Sequence, residues 1–427
     1  MADLSIDFCG IKSPNPFWLA SAPPANSGDQ VMRAFDAGWG GAVWKTLGNP
    51  IVNVSSRFGG IDYGSTRMMG LNNIELITDR PLEVNLKEIA FVKKRYPKHA
   101  VIASLMVDTK EEWREIIQKA EDAGADGLEL NFGCPHGMCE RGMGSAVGNE
   151  PKVLEEIARW AVEFARTPVI VKLTPNIGDI TEPGEAVLRS GAHAISLINT
   201  IKSIMGVDLD RMIPMPRVGE YSTNGGYCGP AVKPIALNMT GEIARHQETR
   251  GLPISGIGGV TTWRDAAEFM AMGAGNVQVC TAAMTYGFKI VQEMISGLSQ
   301  YLDEKQMGLN DLIGRAVPNF VEWQHLNLNY VTKAVINQDD CIKCGRCYAA
   351  CEDTSHQAIA MSEDRTFTVK DDECVACNLC VNVCPVDNCI TMKTLPEGAL
   401  DERTGRKVAP YANWTTHPNN PSAHAAE

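Results

Sequence analysis

The sequence predicts an α/β protein: a (β/α)8 TIM barrel over residues 1–300, followed by a smaller α+β module over 335–395. Three observations predict it. Between residues 15 and 285 one rhythm repeats eight times, a short apolar run, a polar turn and a helical stretch. Two of the runs, Val101-Ile-Ala-Ser-Leu and Val169-Ile-Val-Lys-Leu, are almost continuously apolar, as parallel strands covered on both faces are. Eight cysteines then fall into two copies of a single spacing between Cys341 and Cys384, where the barrel rhythm has stopped.

The strands are read at residues 17–21, 41–45, 101–106, 127–131, 168–173, 194–199, 253–258 and 276–281. Helical patterns lie between them at 110–123, 151–166, 234–249 and 262–272. Gly38, Gly124, Gly191 and Gly273 stand just past the last turn of their helices, the usual place for a terminating glycine. A doubly wound open sheet is the alternative that the same alternation allows. Three connections are too long to be turns: 47–78 after strand 2, the glycine-rich 134–149 after strand 4, and 201–233 after strand 6. All three leave the C-terminal ends of strands, the face on which barrels build their sites. Residues 301–334 read as a helical linker. Residues 396–427 read as a C-terminal extension whose end, from Thr415, has the composition of a disordered tail.

The 427 residues suffice for two domains, and an apolar content of 44% supplies a core. No stretch of eighteen apolar residues occurs, and the first residues carry neither a basic nor an apolar leader region. The chain is therefore expected to be cytoplasmic, with no membrane partner. A net charge of −12 without any Lys/Arg-rich run argues against a nucleic-acid partner. Fourteen cysteines in so long a chain, eight of them regularly spaced, fit metal ligation in a reducing compartment better than disulfides.

The cysteine runs are Cys341-x2-Cys344-x2-Cys347-x3-Cys351 and Cys374-x2-Cys377-x2-Cys380-x3-Cys384-Pro385. This spacing resembles that of a bacterial two-cluster ferredoxin, in which the fourth cysteine of each run ligates the other run's cluster. The resemblance implies a two-cluster ferredoxin-like domain. Cys341, Cys344, Cys347 and Cys384 would hold one [4Fe–4S] cube, and Cys374, Cys377, Cys380 and Cys351 the other. Zinc also binds Cys-x2-Cys pairs, but zinc gives no reason for a third cysteine at x2 and a fourth at x3.

The barrel strands end on Ser21, Lys45, Ser104, Asn131, Lys172, Asn199, Gly258-Gly259 and Thr281. A single lysine after a strand is commonly a solvated rim residue; polar groups and glycines at eight ends in register indicate a site. Strand 7 runs into two glycines and strand 8 into Cys280-Thr-Ala ahead of a helix, where barrels bind phosphate through bare N–H groups. Lys172 can form a Schiff base, polarise a carbonyl or stabilise an anionic reduced flavin. The iron–sulfur relays favour the last, because a flavin brokers between two-electron chemistry and one-electron carriers. A flavin mononucleotide (FMN) also supplies the phosphate. Cys134 follows strand 4 at once, on a loop with Gly137, Gly142 and Gly144 as hinges. A thiol with an ordinary pKa of about 8.5 is protonated at neutral pH and can serve as a general acid. Cys9, Cys139 and Cys280 read as structural, and His136 as an incidental loop histidine.

The run Asn131-Phe-Gly-Cys-Pro-His-Gly-Met, with Lys172-Leu-Thr-Pro-Asn, Ile198-Asn-Thr and Ser255-Gly-Ile-Gly-Gly, resembles dihydropyrimidine dehydrogenase and, more distantly, the cytosolic dihydroorotate dehydrogenases. The resemblance covers residues 3–395. It implies reversible reduction of the 5,6 double bond of uracil or thymine, with hydride passing between flavin N5 and carbon 6 while Cys134 donates the proton at carbon 5. It implies that Asn73, Asn131, Asn199 and Thr200 hydrogen-bond the pyrimidine, whose edge suits amides that both donate and accept. Lys45 and Lys172 would contact the flavin, and Ser21, Ala22, Gly258, Gly259, Thr281 and Ala282 would help to bind it. Two positions depart from the relatives. Gly133 stands where they have a serine that touches substrate, and Glu352 where a proline often follows the last ferredoxin cysteine.

No strand is followed by Gly-x-Gly-x-x-Gly, so no dinucleotide site is evident. Longer relatives carry NADP and FAD domains ahead of the barrel. The resemblance thus implies a partner subunit that holds NAD(H) and FAD, docks near the clusters and completes a heterotetramer. Dihydroorotate oxidation is a second reading, but orotate's carboxylate calls for additional donors. A flavin and iron–sulfur electron carrier without catalysis is a third, against which the loop cysteine and the asparagines argue.

Overall fold

The computed structural model describes residues 2–49, 53–63, 66–135 and 142–424; His136, Gly137 and Cys139 lie outside these. The chain divides into two compact units, Met1–Phe320 and Val321–Glu427.

In the first unit eight parallel strands close a barrel: β1 (Phe17–Leu19), β2 (Gly41–Leu47), β3 (Ala100–Leu105), β4 (Gly127–Asn131), β5 (Val169–Lys172), β6 (Ala194–Leu197), β7 (Ile254–Ile257) and β8 (Ala274–Val279). Each strand pairs with the next in sequence and β8 pairs with β1, which rules out the open-sheet alternative. The connecting helices start and stop where the local chemistry directs. Thr109 and Thr262 cap theirs through reciprocal bonds with Glu112 and Asp265, and the four expected glycines all take positive φ.

The period of two along each strand sorts the barrel into layers. Outward residues such as Leu19, Trp44, Leu128, Val171 and Leu197 pack under the helices in the main core. Inward residues near the strand starts, among them Trp18, Val43, Ile102, Ile170 and Ala194, form a separate apolar cluster with Phe8 and Ile11. Those two come from an N-terminal hairpin, Ile6–Phe8 with Ile11–Ser13, which stoppers that end of the barrel. Two residues further along, the inward positions turn polar: Lys45, Ser104, Lys172 and Ser196 follow the apolar ones, and Glu129 and Gln278 join them, all buried.

Two of the long connections merge. Phe58–Tyr63 and Thr66–Asn73 from after β2, with Gly225–Cys228 and Ile201–Ser203 from after β6, form one antiparallel sheet. Among the described residues no helix is long and apolar enough to cross a membrane.

In the second unit Thr332–Ile336 pairs antiparallel with Ile390–Thr394, and Ile359–Met361 with Phe367–Val369. Two short helices, Arg346–Glu352 and Leu379–Val383, follow the cysteine loops, and Phe367 is fully buried. Residues 301–334, read as a helical linker, hold the end of the helix Ile290–Lys305, a short helix Leu309–Leu312, 3-10 turns at Val317–Asn319 and Trp323–His325, and the start of the strand Thr332–Ile336. The extension expected to end in a disordered tail has structure as far as it is described. Leu400–Asp401 pairs with Arg406–Lys407, and short 3-10 turns follow at Trp414–Thr416 and Pro421–His424. Its composition is polar, but it is anchored: the Leu328 N–H donates to the Ala412 carbonyl, the Tyr411 hydroxyl donates to the His325 carbonyl, and Trp414 stacks on His417.

Candidate active site and cluster cavities

A cavity of about 1150 Å³, open to solvent, occupies the C-terminal mouth of the barrel. It gathers all thirteen barrel residues expected there: Ser21, Ala22, Lys45, Asn73, Asn131, Cys134, Lys172, Asn199, Thr200, Gly258, Gly259, Thr281 and Ala282.

A line of hydrogen bonds orients the asparagines. Thr46 Oγ1 lies 2.9 Å from Ser104 Oγ and 3.2 Å from Ser21 Oγ, and it accepts Asn131 Nδ2 at 3.0 Å. Asn131 Oδ1 then accepts Asn199 Nδ2 at 3.0 Å and the Gly133 N–H at 3.4 Å. Asn199 Oδ1 accepts the Thr200 N–H at 2.8 Å. Gly133 has a structural consequence here. A Cβ at that position would stand 2.5 Å from Asn199 Cβ and 2.7 Å from its Nδ2, so Asn199 uses the room that a side chain would take. Asn73 Nδ2 donates to the Gly226 carbonyl at 3.3 Å, and a Cβ on Gly226 would stand 2.0 Å from Thr200 Oγ1. Cys134 is buried in a small apolar cluster with Ile77, Met106 and Met143.

Both lysines face buried carboxylates that the sequence reading did not name. Lys45 Nζ lies 2.8 Å from Glu75 Oε1, which also meets Arg57 Nε at 3.1 Å. Lys172 Nζ lies 3.4 Å from Glu129 Oε1. Glu129 Oε2 accepts Ser196 Oγ at 2.9 Å and Gln278 Nε2 at 2.8 Å, and the same Gln278 nitrogen donates to Ser255 Oγ at 3.0 Å. The signals for these residues were present. Glu129 is an acid inside the apolar strand Gly127-Leu-Glu-Leu-Asn, two residues before Asn131 and so on the same inward face. Glu75 follows Asn73 at the same interval.

Strand β7 ends in bare backbone. Gly258 and Gly259 have φ of +131° and +73°. Side chains there would meet Ala236 Cβ at 2.7 Å and Lys233 Cβ at 2.8 Å, so the turn closes only with glycine. Thr281 opens the helix Thr281–Tyr286 after β8, and its hydroxyl donates to Cys228 Sγ at 3.3 Å. Burial pushes the Cys228 and Cys280 thiols up. Cys9 is pushed up to about 12, by burial first and then by the nearby Asp7 carboxylate. These residues fit an FMN: a glycine cradle beside a helix start for the phosphate, and two buried ammonium groups for the ring.

In the second unit two cavities collect the cysteines. One is lined by Cys341, Cys344, Cys347 and Cys384, the other by Cys351, Cys374, Cys377 and Cys380. Each set combines three cysteines of one run with the fourth of the other. Helix geometry gives the reason. Cys347 and Cys351 share the helix Arg346–Glu352, and the rise of about 6 Å over four residues carries Cys351 past its own cavity to the neighbouring one. The Ala358 N–H donates to Cys351 Sγ at 3.3 Å. A fifth cysteine, Cys389, lines the first cavity and is buried; its position outside the repeated spacing hid it. The four regularly spaced thiols in each apolar-walled cavity fit two [4Fe–4S] cubes.

Residues 3–302 match the family described as Dihydroorotate dehydrogenase, and residues 334–392 match the 4Fe-4S dicluster domain. The chain belongs to the dihydroorotate dehydrogenase family. This family binds FMN, and the dicluster match accounts for the cysteine unit. The chain is 44% identical to NAD-dependent dihydropyrimidine dehydrogenase subunit PreA of Escherichia coli (strain K12), over 96% of this chain and 98% of that one. To Dihydropyrimidine dehydrogenase (NADP(+)), chloroplastic, of Arabidopsis thaliana it is 44% identical over 71% of this chain and 74% of that one. Another member of the dihydroorotate dehydrogenase family, Dihydroorotate dehydrogenase B (NAD(+)), catalytic subunit, of Pyrococcus horikoshii, is 36% identical over 74% of this chain and 98% of its own. The match to PreA spans 411 residues, which the barrel unit alone cannot provide.

Proposed function

We propose that this chain is the catalytic subunit of a dihydropyrimidine dehydrogenase that reversibly reduces the 5,6 double bond of uracil or thymine. The observation that carries this reading is the line of oriented amides, Asn131 to Asn199 to the Thr200 N–H, beside Cys134 in one cavity. Amides offer a donor and an acceptor to a neutral imide edge. The cations that the described lining offers, Lys45 and Lys172, each face a buried carboxylate, which favours a neutral pyrimidine over the carboxylated orotate. When bound, FMN supplies hydride exchange with carbon 6. Asn73, Asn131, Asn199 and Thr200 hold the edges of the pyrimidine, and Cys134 delivers the proton to carbon 5. Lys45 and Lys172 lie against the flavin, which Ser21, Ala22, Gly258, Gly259, Thr281 and Ala282 help to hold.

Electrons reach the barrel through the two [4Fe–4S] clusters from a partner subunit that binds NAD(H) and FAD, within a cytoplasmic heterotetramer. Two observations support the partner. The Escherichia coli relative is named as a subunit and as NAD-dependent, and the sequence has no strand leading into Gly-x-Gly-x-x-Gly. Anaerobic photoreduction of the purified chain, followed by uracil, thymine or orotate, tests the function. Flavin reoxidation by uracil or thymine and not by orotate is expected. Reoxidation by orotate alone, or by none of them, overturns the reading.

A further inference from the structure

Lys333 lies within the strand Thr332–Ile336, yet its ammonium is buried. Nζ donates to the carbonyls of Asp371 at 2.8 Å and Cys374 at 3.0 Å, and it pairs with Asp401 Oδ1 at 2.8 Å. Cys374 is the first cysteine of the second run, so a positive charge is fixed directly behind one wall of the Cys351, Cys374, Cys377 and Cys380 cavity. Asp401 comes from the C-terminal hairpin, where it also accepts the Thr404 hydroxyl at 2.7 Å and the Arg403 N–H at 3.3 Å. The Lys333 ammonium holds the Asp401 carboxyl below the usual carboxylate range.

The other cavity has a different arrangement. Lys343, next to Cys344, is exposed, and its ammonium turns outward to the Asp364 carbonyl at 3.0 Å. The Arg365 guanidinium also reaches this loop, donating to the Lys343 carbonyl at 3.1 Å, but it too is exposed. The two cavities are thus built alike in their cysteines and unlike in the burial of the cation beside them: solvent screens Lys343 and Arg365, and not Lys333. A buried ammonium is costly, which explains why Asp401 accompanies it but not why a lysine stands there at all. Its effect on an electron carrier supplies a reason. A fixed positive charge favours the reduced cluster, which carries one more negative charge, and local charge is among the factors that set cluster potentials.

We propose that Lys333, moderated by Asp401, raises the reduction potential of the cluster in the Cys351, Cys374, Cys377 and Cys380 cavity and so gives the two relays a fixed order. The proposal rests on the iron–sulfur assignment and not on the identity of the barrel's substrate. EPR-monitored redox titration of the holoenzyme, with iron content measured in parallel, tests it. Lys333→Met is expected to lower one midpoint by about tenfold in its one-electron equilibrium, or 59 mV. Asp401→Asn is expected to raise the same midpoint, and the second cluster is expected to stay put in both variants. Shifts of the same sign in the two variants, equal movement of both clusters, or no movement overturns the proposal. If Lys333→Met loses iron, Asp401→Asn decides alone: a rise in one midpoint supports the proposal and an unchanged one overturns it.

Discussion

Lys172 and Glu129 meet inside the barrel at 3.4 Å, both buried, and Glu129 spends its second oxygen on Ser196 and Gln278. Removing one partner of such a pair strands the other in a low-dielectric interior. Glu129→Gln is expected to cost about 3–5 kcal/mol of stability, read from urea unfolding. The double variant Glu129→Leu with Lys172→Met should recover most of that loss. A single variant as stable as the parent would show that the pair carries no such strain.

Cys134 lines the cavity beside the oriented asparagines. Cys134→Ala should retain flavin and iron while losing at least ~100-fold in steady-state rate, a typical general-acid contribution. Unchanged turnover removes the thiol from proton delivery.

Gly133 is the space into which Asn199 fits. Gly133→Ala forces a shift between two stiff groups, with an overpacking cost of about 1–3 kcal/mol. If Asn199 holds the pyrimidine, this appears as a roughly tenfold rise in KM, with flavin content unaltered. A variant with the parent's KM detaches Asn199 from substrate binding.

The cluster sets predict a non-additive pattern. Cys351→Ala with Cys377→Ala should lose no more iron than either single change, because both line one cavity. Cys351→Ala with Cys344→Ala should lose iron from both. Iron analysis of the four variants distinguishes this from sets confined to one run each.

Glu88 accepts the Arg80 guanidinium and the Gly28 N–H, each at 2.7 Å. The hydrogen bond from Arg80 leads in holding this carboxyl below its ordinary value of about 4.3. A depressed folded-state value contributes stability that is fully present above the unfolded value and is lost as pH falls through the folded one. Glu88→Gln should therefore flatten the acid limb of the stability profile below about pH 5 and lower the plateau above it. An acid limb of unchanged slope would place the titration elsewhere.

Strand positions were legible because parallel strands covered on both faces leave nearly unbroken apolar runs such as 101–105 and 169–171. The cluster cavities were legible because their spacing is local. The bond between Glu129 and Gln278 was not, although both lie in predicted strands. Attention to strand ends passes over the inward residue one period earlier, and only barrel closure brings β4 and β8 within hydrogen-bonding reach. The hydrogen bonds of the C-terminal extension were not legible for a related reason. Its own composition is polar, and what orders it is a partner far away in sequence, as Asp401 with Lys333 and Tyr411 with His325 show.

Gly226 sits between two would-be recognition residues, bonded to Asn73 and pressed against Thr200, although these belong to insertions from different strands. The two insertions are accordingly a single structural unit. A deletion in one shifts the ladder under both residues, so transplanting specificity between homologues by exchanging one loop should yield mismatched chimeras, whereas exchanging the pair preserves the register. Sequence drift in this family should leave the same mark: the lengths of these two segments changing together across lineages.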